Sequence, residues 1–467
     1  MTALHQPHET VLVFGLGITG LAVVRALHRR GIAVHAADDR PSEETTATLA
    51  ELGLPLHVAP DADQLTALLG DSTALHPTPG LPETHVVFSL AEQLDVDVIS
   101  EFDLAQRWDD RPLVAITGTD GKTSVCTMAT QMLLASGVHA AMCGNTDVPL
   151  IEAIDDPSYD AFVVEASSFR LAHSLEFRPL VGTWLNYGPD HLDVHQDLSA
   201  YENSKAKVFA GAAAGGGVLV ANADDPVVMR HLGEQAPGAE SLVTFGTGSD
   251  APYTVVDDSL VGPDGVLAGV DELWRSYPHD IQNVLAAAAS VRPVGATTDG
   301  IRQVARDFVG LPHRVQTVAT IGEVRYVNDS KATVPHATLS AIDSFDDQIV
   351  LIAGGRNKGL DLSPLADAAE RLRAVVAIGD AAHEVLAAFE GIADTHEATS
   401  MKQAVALAGS LAHPGDVVLL SPACASFDWY RSYGERGEDF IACVAALDEP
   451  ADSTTSPSSD RSPHETP

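Results

Sequence analysis

Directly after the apolar run Leu113 to Ile116, the segment Ile116-Thr117-Gly118-Thr119-Asp120-Gly121-Lys122-Thr123 places a glycine-rich turn that ends in Gly-Lys-Thr. Glycines let a backbone wrap an anion, the amides of a following helix N-terminus face it, and the ammonium of Lys122 adds positive charge. The hydroxyl of Thr123 stands where a magnesium ion carried by a nucleoside triphosphate takes an oxygen ligand. That combination points to ATP-driven chemistry. The usual phosphate loop has four residues between its glycines. Here Ile116 occupies the first glycine's place, so the loop reads as a shortened GxxGKT form, with an ordinary surface turn as the competing reading.

Other residue types capable of chemistry fall at strand ends. Glu165-Ala166-Ser167-Ser168 follows Phe162-Val163-Val164, and Asn186 to Asp193, carrying His191, follows the apolar run Leu180 to Leu185. Tyr201 to Lys207 reads as helix and holds Lys205 and Lys207. Farther on stand Gly310-Leu311-Pro312-His313-Arg314, Asn328 to Thr333, Gly354-Gly355-Arg356-Asn357-Lys358-Gly359, and Ser421 to Asp428. Carboxylates and imidazoles at such ends suit magnesium, and cations in glycine-rich loops suit phosphate or carboxylate. Each also has a plain reading: a surface histidine, a solvated lysine face, or small residues packing tightly.

The elements that position these groups alternate between strand and helix. Thr10 to Phe14, Gly15-Leu16-Gly17-Ile18-Thr19-Gly20 and the helical run Leu21 to Arg30 make a GxGxxG unit, and the strand Ala33 to Ala37 ends at Asp38 and Asp39. This is the dinucleotide-binding pattern, whose glycines also serve close helix–strand packing. A second segment carries the strands Ala161 to Val164 and Gly217 to Val220. A third alternates Glu323 to Val327, Gln348 to Ala353, Ala374 to Ile378 and Asp416 to Leu420 with helices, the signature of a parallel sheet. The expected architecture is α/β in three domains: a Rossmann-like domain over 1–109, a central P-loop-type ATPase domain over 110–310, and a Rossmann-like domain over 311–447. Residues 1–9 and a Ser/Pro-rich tail over 448–467 are expected to be disordered.

Composition narrows the class. The chain has 467 residues, 45% hydrophobic and only 5% aromatic, with a formal net charge of −38. Such acidity speaks against nucleic acid, which needs a basic footprint, and fits solubility or salt adaptation. Cys126, Cys143, Cys424 and Cys443 show no metal spacing and suit buried thiols in a reducing compartment. Neither a signal peptide nor an apolar membrane span is evident, so a cytoplasmic protein without membrane insertion is expected.

Taken together, the motifs Gly15 to Gly20, Gly118 to Thr123, Glu165 to Leu171, Asp190 to Asp193, Gly310 to Arg314, Asn328 to Thr333, and Ser421 to Asp428 with Arg436-Gly437 resemble the Mur ligases of peptidoglycan synthesis. The resemblance extends over nearly the whole chain except both termini. Within the family, the Ser421 to Asp428 segment with Arg436-Gly437 is most like the member that adds D-glutamate. The other motifs are shared with related ligases and folylpolyglutamate synthetases.

The resemblance implies an ATP-dependent ligase that adds D-glutamate to UDP-N-acetylmuramoyl-L-alanine through an acyl phosphate, acting as a monomer. It implies that Gly118, Thr119, Asp120, Gly121, Lys122, Thr123 and Ser124 hold the ATP phosphates. Asn283 would approach the adenine, and Arg314 and Asp329 would reach phosphate and ribose. Two magnesium ions are implied, served by Thr123, Glu165, His191 and Lys205, the last as a carbamate; Lys207 is the rival position. Catalytic roles are implied for Lys122, His191, Lys205 and Lys331.

On the UDP side the glycine loop would cradle diphosphate through Gly17, Ile18 and Thr19, with Asp39 and Arg40 near uracil or ribose (Asp38 is the alternative acid). Thr78 and Gly80 would form a second loop there, and Asn145 and Ser167 would meet the muramoyl end. Thr333, Lys358, Ser426, Phe427 and Tyr433 match the amino-acid positions. The chain departs from the family at Arg356, where GGDGK is usual, and at Val334, where asparagine is common. An NAD-dependent oxidoreductase would not need the separate phosphate loop, and a silent nucleotide-binding regulator would not need Lys122, Glu165, His191 and Lys205 together.

Overall fold

The computed structural model describes residues 9–191, 194–235, 241–248 and 250–448. Of the disorder expected at 1–9 and 448–467, residues 1–8 and 449–467 lie outside the described residues, while Glu9 is described and Asp448 ends a helix. The chain divides into two compact units, one through Leu311 together with Lys358–Leu360, the other made of the rest from Pro312 onward.

The first unit contains two parallel sheets. Strands β1 (Thr10–Phe14), β2 (Ala33–Asp38), β3 (Leu56–Val58), β4 (Ala74–Pro77) and β5 (Asp97–Val98) pair in the order β3-β2-β1-β4-β5. Strands β6 (Leu113–Thr117), β7 (Ala140–Gly144), β8 (Ala161–Glu165), β9 (Val181–Trp184), β10 (Val218–Asn222) and β11 (Leu242–Phe245) pair in the order β11-β10-β9-β6-β8-β7. All five residues of β6 and of β8 are buried, as strands covered by helices on both faces must be. In each sheet the order reverses beside a central strand. The crevice at the carboxyl ends of β1 and β6 is therefore where a ligand fits.

A small antiparallel sheet, β12 (Thr254–Val256), β13 (Ser259–Gly262) and β14 (Gly265–Gly269), completes this unit. Asp257 and Asp258, both at positive φ, make the two-residue turn joining β12 to β13.

In the second unit β15 (Gln316–Ile321), β16 (Val324–Asn328), β17 (Ile349–Gly354), β18 (Leu372–Ile378), β19 (Thr395–Ala398) and β20 (Val417–Leu420) pair as β15-β16-β20-β17-β18-β19. The expectation of a wholly parallel sheet needs one correction, since β15 runs antiparallel to β16. Gly322 and Glu323 both take positive φ and form the tight hairpin that reverses the chain there. The helix Tyr433–Asp448 closes the described chain. No helix among the described residues is long and apolar enough to cross a membrane.

With a formal charge of −38, this fold carries strong self-repulsion. Raising KCl from about 0.1 M to about 1 M shortens the screening length from roughly 10 Å to roughly 3 Å. The melting temperature is therefore expected to rise by several degrees in differential scanning fluorimetry. A flat or falling Tm would show that the acidic groups are already offset locally.

Candidate functional site

Two glycine loops open helices in the first unit, and their N-caps differ from those of several other helices. Gly17 before Ile18–Arg29 and Gly121 before Lys122–Ala135 offer no side-chain cap. Ser42, Asp61, Ser100, Asp197, Thr297 and Ser400 do cap their helices. Helix-end amides left without a side-chain acceptor are anion donors.

At the first loop, a Cβ on Gly15 would meet Thr78 Cγ2 at 2.4 Å, so the Gly15–Gly20 turn and the Thr78–Gly80 loop lie against each other. A Cβ on Gly20 would lie 2.0 Å from the Gly15 carbonyl, which is the close helix–strand packing such loops require. Asp38 accepts hydrogen bonds from the amides of Leu16 and of Arg40, and so holds the loop. Asp39 is more exposed and lies 3.4 Å from His85, whose ring also packs on Phe14. Ile18 projects into solvent, and Thr19 is buried and accepts from Arg170.

In the second loop Lys122 is the first residue of its helix, followed by Thr123 and Ser124. Its Nζ donates to the carbonyls of Gly118 (2.8 Å) and Thr119 (2.7 Å). Lys205 Nζ donates to the same Gly118 carbonyl at 2.6 Å and lies over the Tyr201 ring. Lys205 is 1% exposed. Burial, and next the charge of Lys122, pushes its pKa well below the ordinary lysine value, favouring a neutral amine. Lys207, the rival position, donates instead to the carbonyls of Ala172 and Ser174.

Asn283 lies against the loop, since a Cβ on Gly121 would sit 2.6 Å from its Oδ1. The sequence reading missed Asn186, whose Oδ1 accepts from the amides of Thr119 and Asp120. It also missed Tyr201, whose hydroxyl meets Thr119 Oγ1 at 3.1 Å. The signal for Asn186 was its place two residues past β9.

Glu165 ends β8 and is buried; Oε1 accepts from Asn145 Nδ2 at 3.1 Å, while Oε2 has no partner. The Ser167 hydroxyl is likewise buried and unpartnered. His191 adopts φ +60°, a left-handed conformation uncommon for a side-chain-bearing residue, and its Nε2 lies 3.1 Å from Asp190. Burial raises the Asp190 pKa above the ordinary carboxylate value. Leu192 and Asp193 lie outside the described residues.

Among the described residues no group of three or more His, Cys, Asp or Glu is arranged to hold a metal. The unpartnered Glu165 oxygen is nevertheless a hard donor beside a phosphate loop. It suits magnesium, which completes its shell with phosphate oxygens and water.

The second unit gathers a further set. Lys331 Nζ lies 3.9 Å over the Tyr433 ring, and Ser330 accepts from Tyr433's helix partner Arg436 at 3.0 Å. Arg436 is buried and also donates to the carbonyls of Cys424 and Ser330. Burial lowers its pKa to about 10. Asp329 accepts from the Val315 amide and from the Ser421 hydroxyl, and so joins the two motifs. Ser426 is buried, Thr333 half-buried and Phe427 exposed. Arg356 exchanges backbone hydrogen bonds with Ala425, placing that departure beside Ser426, whereas Lys358, two residues later, belongs to the first unit. His313 and Val315, flanking Arg314, and Ala423 all take positive φ. For a β-branched residue such as Val315 that is strain, of the sort that collects at functional segments.

Three family descriptions match this chain: "Mur ligase MurD-like, N-terminal domain" over residues 9–100, "Mur ligase middle domain" over 116–291, and "Mur ligase, glutamate ligase domain" over 313–424. A UDP-N-acetylmuramoylalanine–D-glutamate ligase of Desulfosudis oleivorans is 37% identical over 96% of this chain and 99% of its own length. One from Methylococcus capsulatus is 38% identical over 94% of this chain and 95% of its own. Among solved structures, a pseudomurein peptide ligase type C from Methanothermus fervidus shares the fold with a TM-score of 0.59 at 17% identity, covering 94% of this chain and 100% of that one. With three matched domains in the family's order and near full-length relatives, this chain belongs to the Mur ligase family.

Proposed function

We propose that the protein joins D-glutamate to UDP-N-acetylmuramoyl-L-alanine at the expense of ATP. The observation that carries this reading is the pair of lysines, Lys122 and Lys205, on the single Gly118 carbonyl of the phosphate loop. One is the cation a triphosphate needs. The other is a buried amine held toward neutrality, hence nucleophilic and able to take up carbon dioxide as a carbamate. The names of the relatives support D-glutamate as the acceptor.

In this reading the L-alanyl carboxylate oxygen attacks the γ-phosphorus, the bond to the ADP oxygen breaks, and an acyl phosphate forms. The D-glutamate amine, after losing a proton, attacks the acyl carbon; the C–O bond then breaks and inorganic phosphate leaves. Gly17, Ile18, Thr19, Thr78 and Gly80 bind the UDP end, with Asp39 and Arg40 at its rim, while Asn145 and Ser167 orient the muramoyl group. Gly118 to Ser124 bind triphosphate, and Lys122 offsets charge as it moves to the leaving oxygen. Asn283 packs the adenine, and Arg314 and Asp329 approach phosphate and ribose. Lys331 faces the transferred group. Thr333, Lys358, Ser426, Phe427 and Tyr433 bind D-glutamate.

Magnesium, held by Thr123 and Glu165 and by His191 with a carbamate on Lys205, would supply neutralisation of phosphate charge. The protein acts in the cytoplasm as a monomer, without nucleic acid.

Phosphate release with ATP, UDP-N-acetylmuramoyl-L-alanine and each of D-Glu, L-Glu, L-Ala and meso-diaminopimelate tests the substrate. Release with D-Glu alone is expected. Release with another amino acid would move the protein to a different member of the family.

A further inference from the structure

A second, partly buried constellation lies near the site, and the function above does not use it. His195, whose side chain is buried, places Nδ1 2.8 Å from Glu83 Oε1 and Nε2 2.9 Å from Ser168 Oγ. The order serine, histidine, carboxylate invites a nucleophile reading. Ser168 and His195 are both buried, so a substrate does not reach them, and the arrangement serves position instead.

Glu83 makes further ties to the same stretch. Its Oε2 accepts from the Gln196 amide (3.1 Å), and its own amide donates to the Val194 carbonyl (3.0 Å). Val194 and His195 in turn donate their amides to the carbonyl of His191, a residue at positive φ. Phe169 stacks on His195 (centroids 5.6 Å apart) and meets His191 edge-on (4.5 Å).

Ser168 opens a short helix, Ser168–Ala172, three residues beyond Glu165. Two residues on, Arg170 donates to Thr19 Oγ1 at 2.9 Å and pairs with buried Glu101. One helix is thus tied directly to the Gly17–Thr19 loop and, through His195, to Glu83, three residues beyond the Thr78–Gly80 loop. Ser168 reaches the Thr78–Glu83 stretch through His195, and Arg170 reaches Thr19.

We propose that Glu83, His195 and Ser168 form a positioning latch that transmits occupancy of the UDP-end loops to the His191 turn and the Glu165 strand end. The proposal rests on the reading that Gly17–Thr19 and Thr78–Gly80 hold the UDP end. An apolar contact could join these segments without the cost of desolvating charge. A directional hydrogen-bonded set also fixes the register of a catalytic turn, where an error of about 1 Å costs on the order of 100-fold in rate.

Hydrogen–deuterium exchange with UDP-N-acetylmuramoyl-L-alanine and no ATP tests it, beside steady-state kinetics. In the parent protein the ligand is expected to protect residues 15–20, 78–83 and the peptide from Asp190 to Gln196. Glu83→Ala should keep loop protection, lose protection of the Asp190–Gln196 peptide, and lower kcat roughly 10- to 100-fold, with the ATP KM within twofold. His195→Phe, which retains the stacking, should lose rate similarly, and Glu83→Gln should recover most of it; both stand in if Glu83→Ala does not fold. A lowered Tm with kcat within twofold, or parent-like protection of the His191 turn in Glu83→Ala, overturns the latch. Parent loops left unprotected overturn the UDP reading, and the latch with it. Protected parent loops with an unprotected turn overturn the latch alone.

Discussion

Replacing Lys122 by alanine is expected to lower kcat by about 1,000-fold or more, while the affinity for UDP-N-acetylmuramoyl-L-alanine stays within a few-fold of the parent. The lysine opens the helix after Gly121, and its ammonium lies on the Gly118 and Thr119 carbonyls, within the loop assigned to triphosphate. Removing it leaves developing charge on the phosphate without its nearest fixed cation. The UDP-end loops belong to a different sheet, at β1 and β4, and should be untouched. Single-turnover kinetics with isothermal titration of the UDP substrate would measure both quantities. Equal loss of binding and turnover would contradict the assignment of the two loops to two ligands.

Lys205→Ala is the second large effect, with a loss of about 100- to 10,000-fold expected. The alanine variant should recover activity when a short carboxylic acid is supplied, which can occupy the emptied space and offer oxygens there, whereas bicarbonate alone should not help because alanine has no amine to carbamylate. The buried position beside Gly118, the pKa pushed down by burial and by Lys122, and the neighbouring Tyr201 ring all point to an amine poised for modification. A charged ammonium there would repel a metal cation; a carbamate would attract one. Mass spectrometry of the intact parent protein in bicarbonate checks the adduct directly. An alanine variant with full activity and no additive would remove Lys205 from the reaction.

Much of the fold was legible because parallel sheets announce themselves. Val-, Ile- and Ala-rich runs such as Leu113–Ile116 and Ala161–Val164 are buried on both faces, and each ends within a residue of its observed strand. The antiparallel pieces were not seen. Strands β12 to β14 are short, and β15 is half-exposed, so their hydrophobic pattern is weak. Their turns, Asp257-Asp258 and Gly322-Glu323, were the available signal.

At the site, residues on local motifs were legible, since phosphate chemistry fixes glycine, lysine and threonine at set spacings. Groups meeting across long stretches of chain were not. Glu83 and His195 are 112 positions apart, and Thr19 and Arg170 are 151 apart. Nothing in local spacing marks such pairs, and only the folded sheets bring them together. The choice between Lys205 and Lys207 shows the same limit. Both lie on one helix, and tertiary contacts alone set one on Gly118 and the other on Ala172 and Ser174.

The most direct test of the central claim follows an oxygen atom. UDP-N-acetylmuramoyl-L-alanine labelled with oxygen-18 in its alanyl carboxylate is turned over with ATP and D-glutamate, and the released phosphate is analysed by mass spectrometry. Activation of that carboxylate by ATP predicts one labelled oxygen in each phosphate, because the acyl C–O bond breaks when the amine enters. Unlabelled phosphate would mean that water, and not the substrate carboxylate, attacks ATP, and would contradict the ligase mechanism.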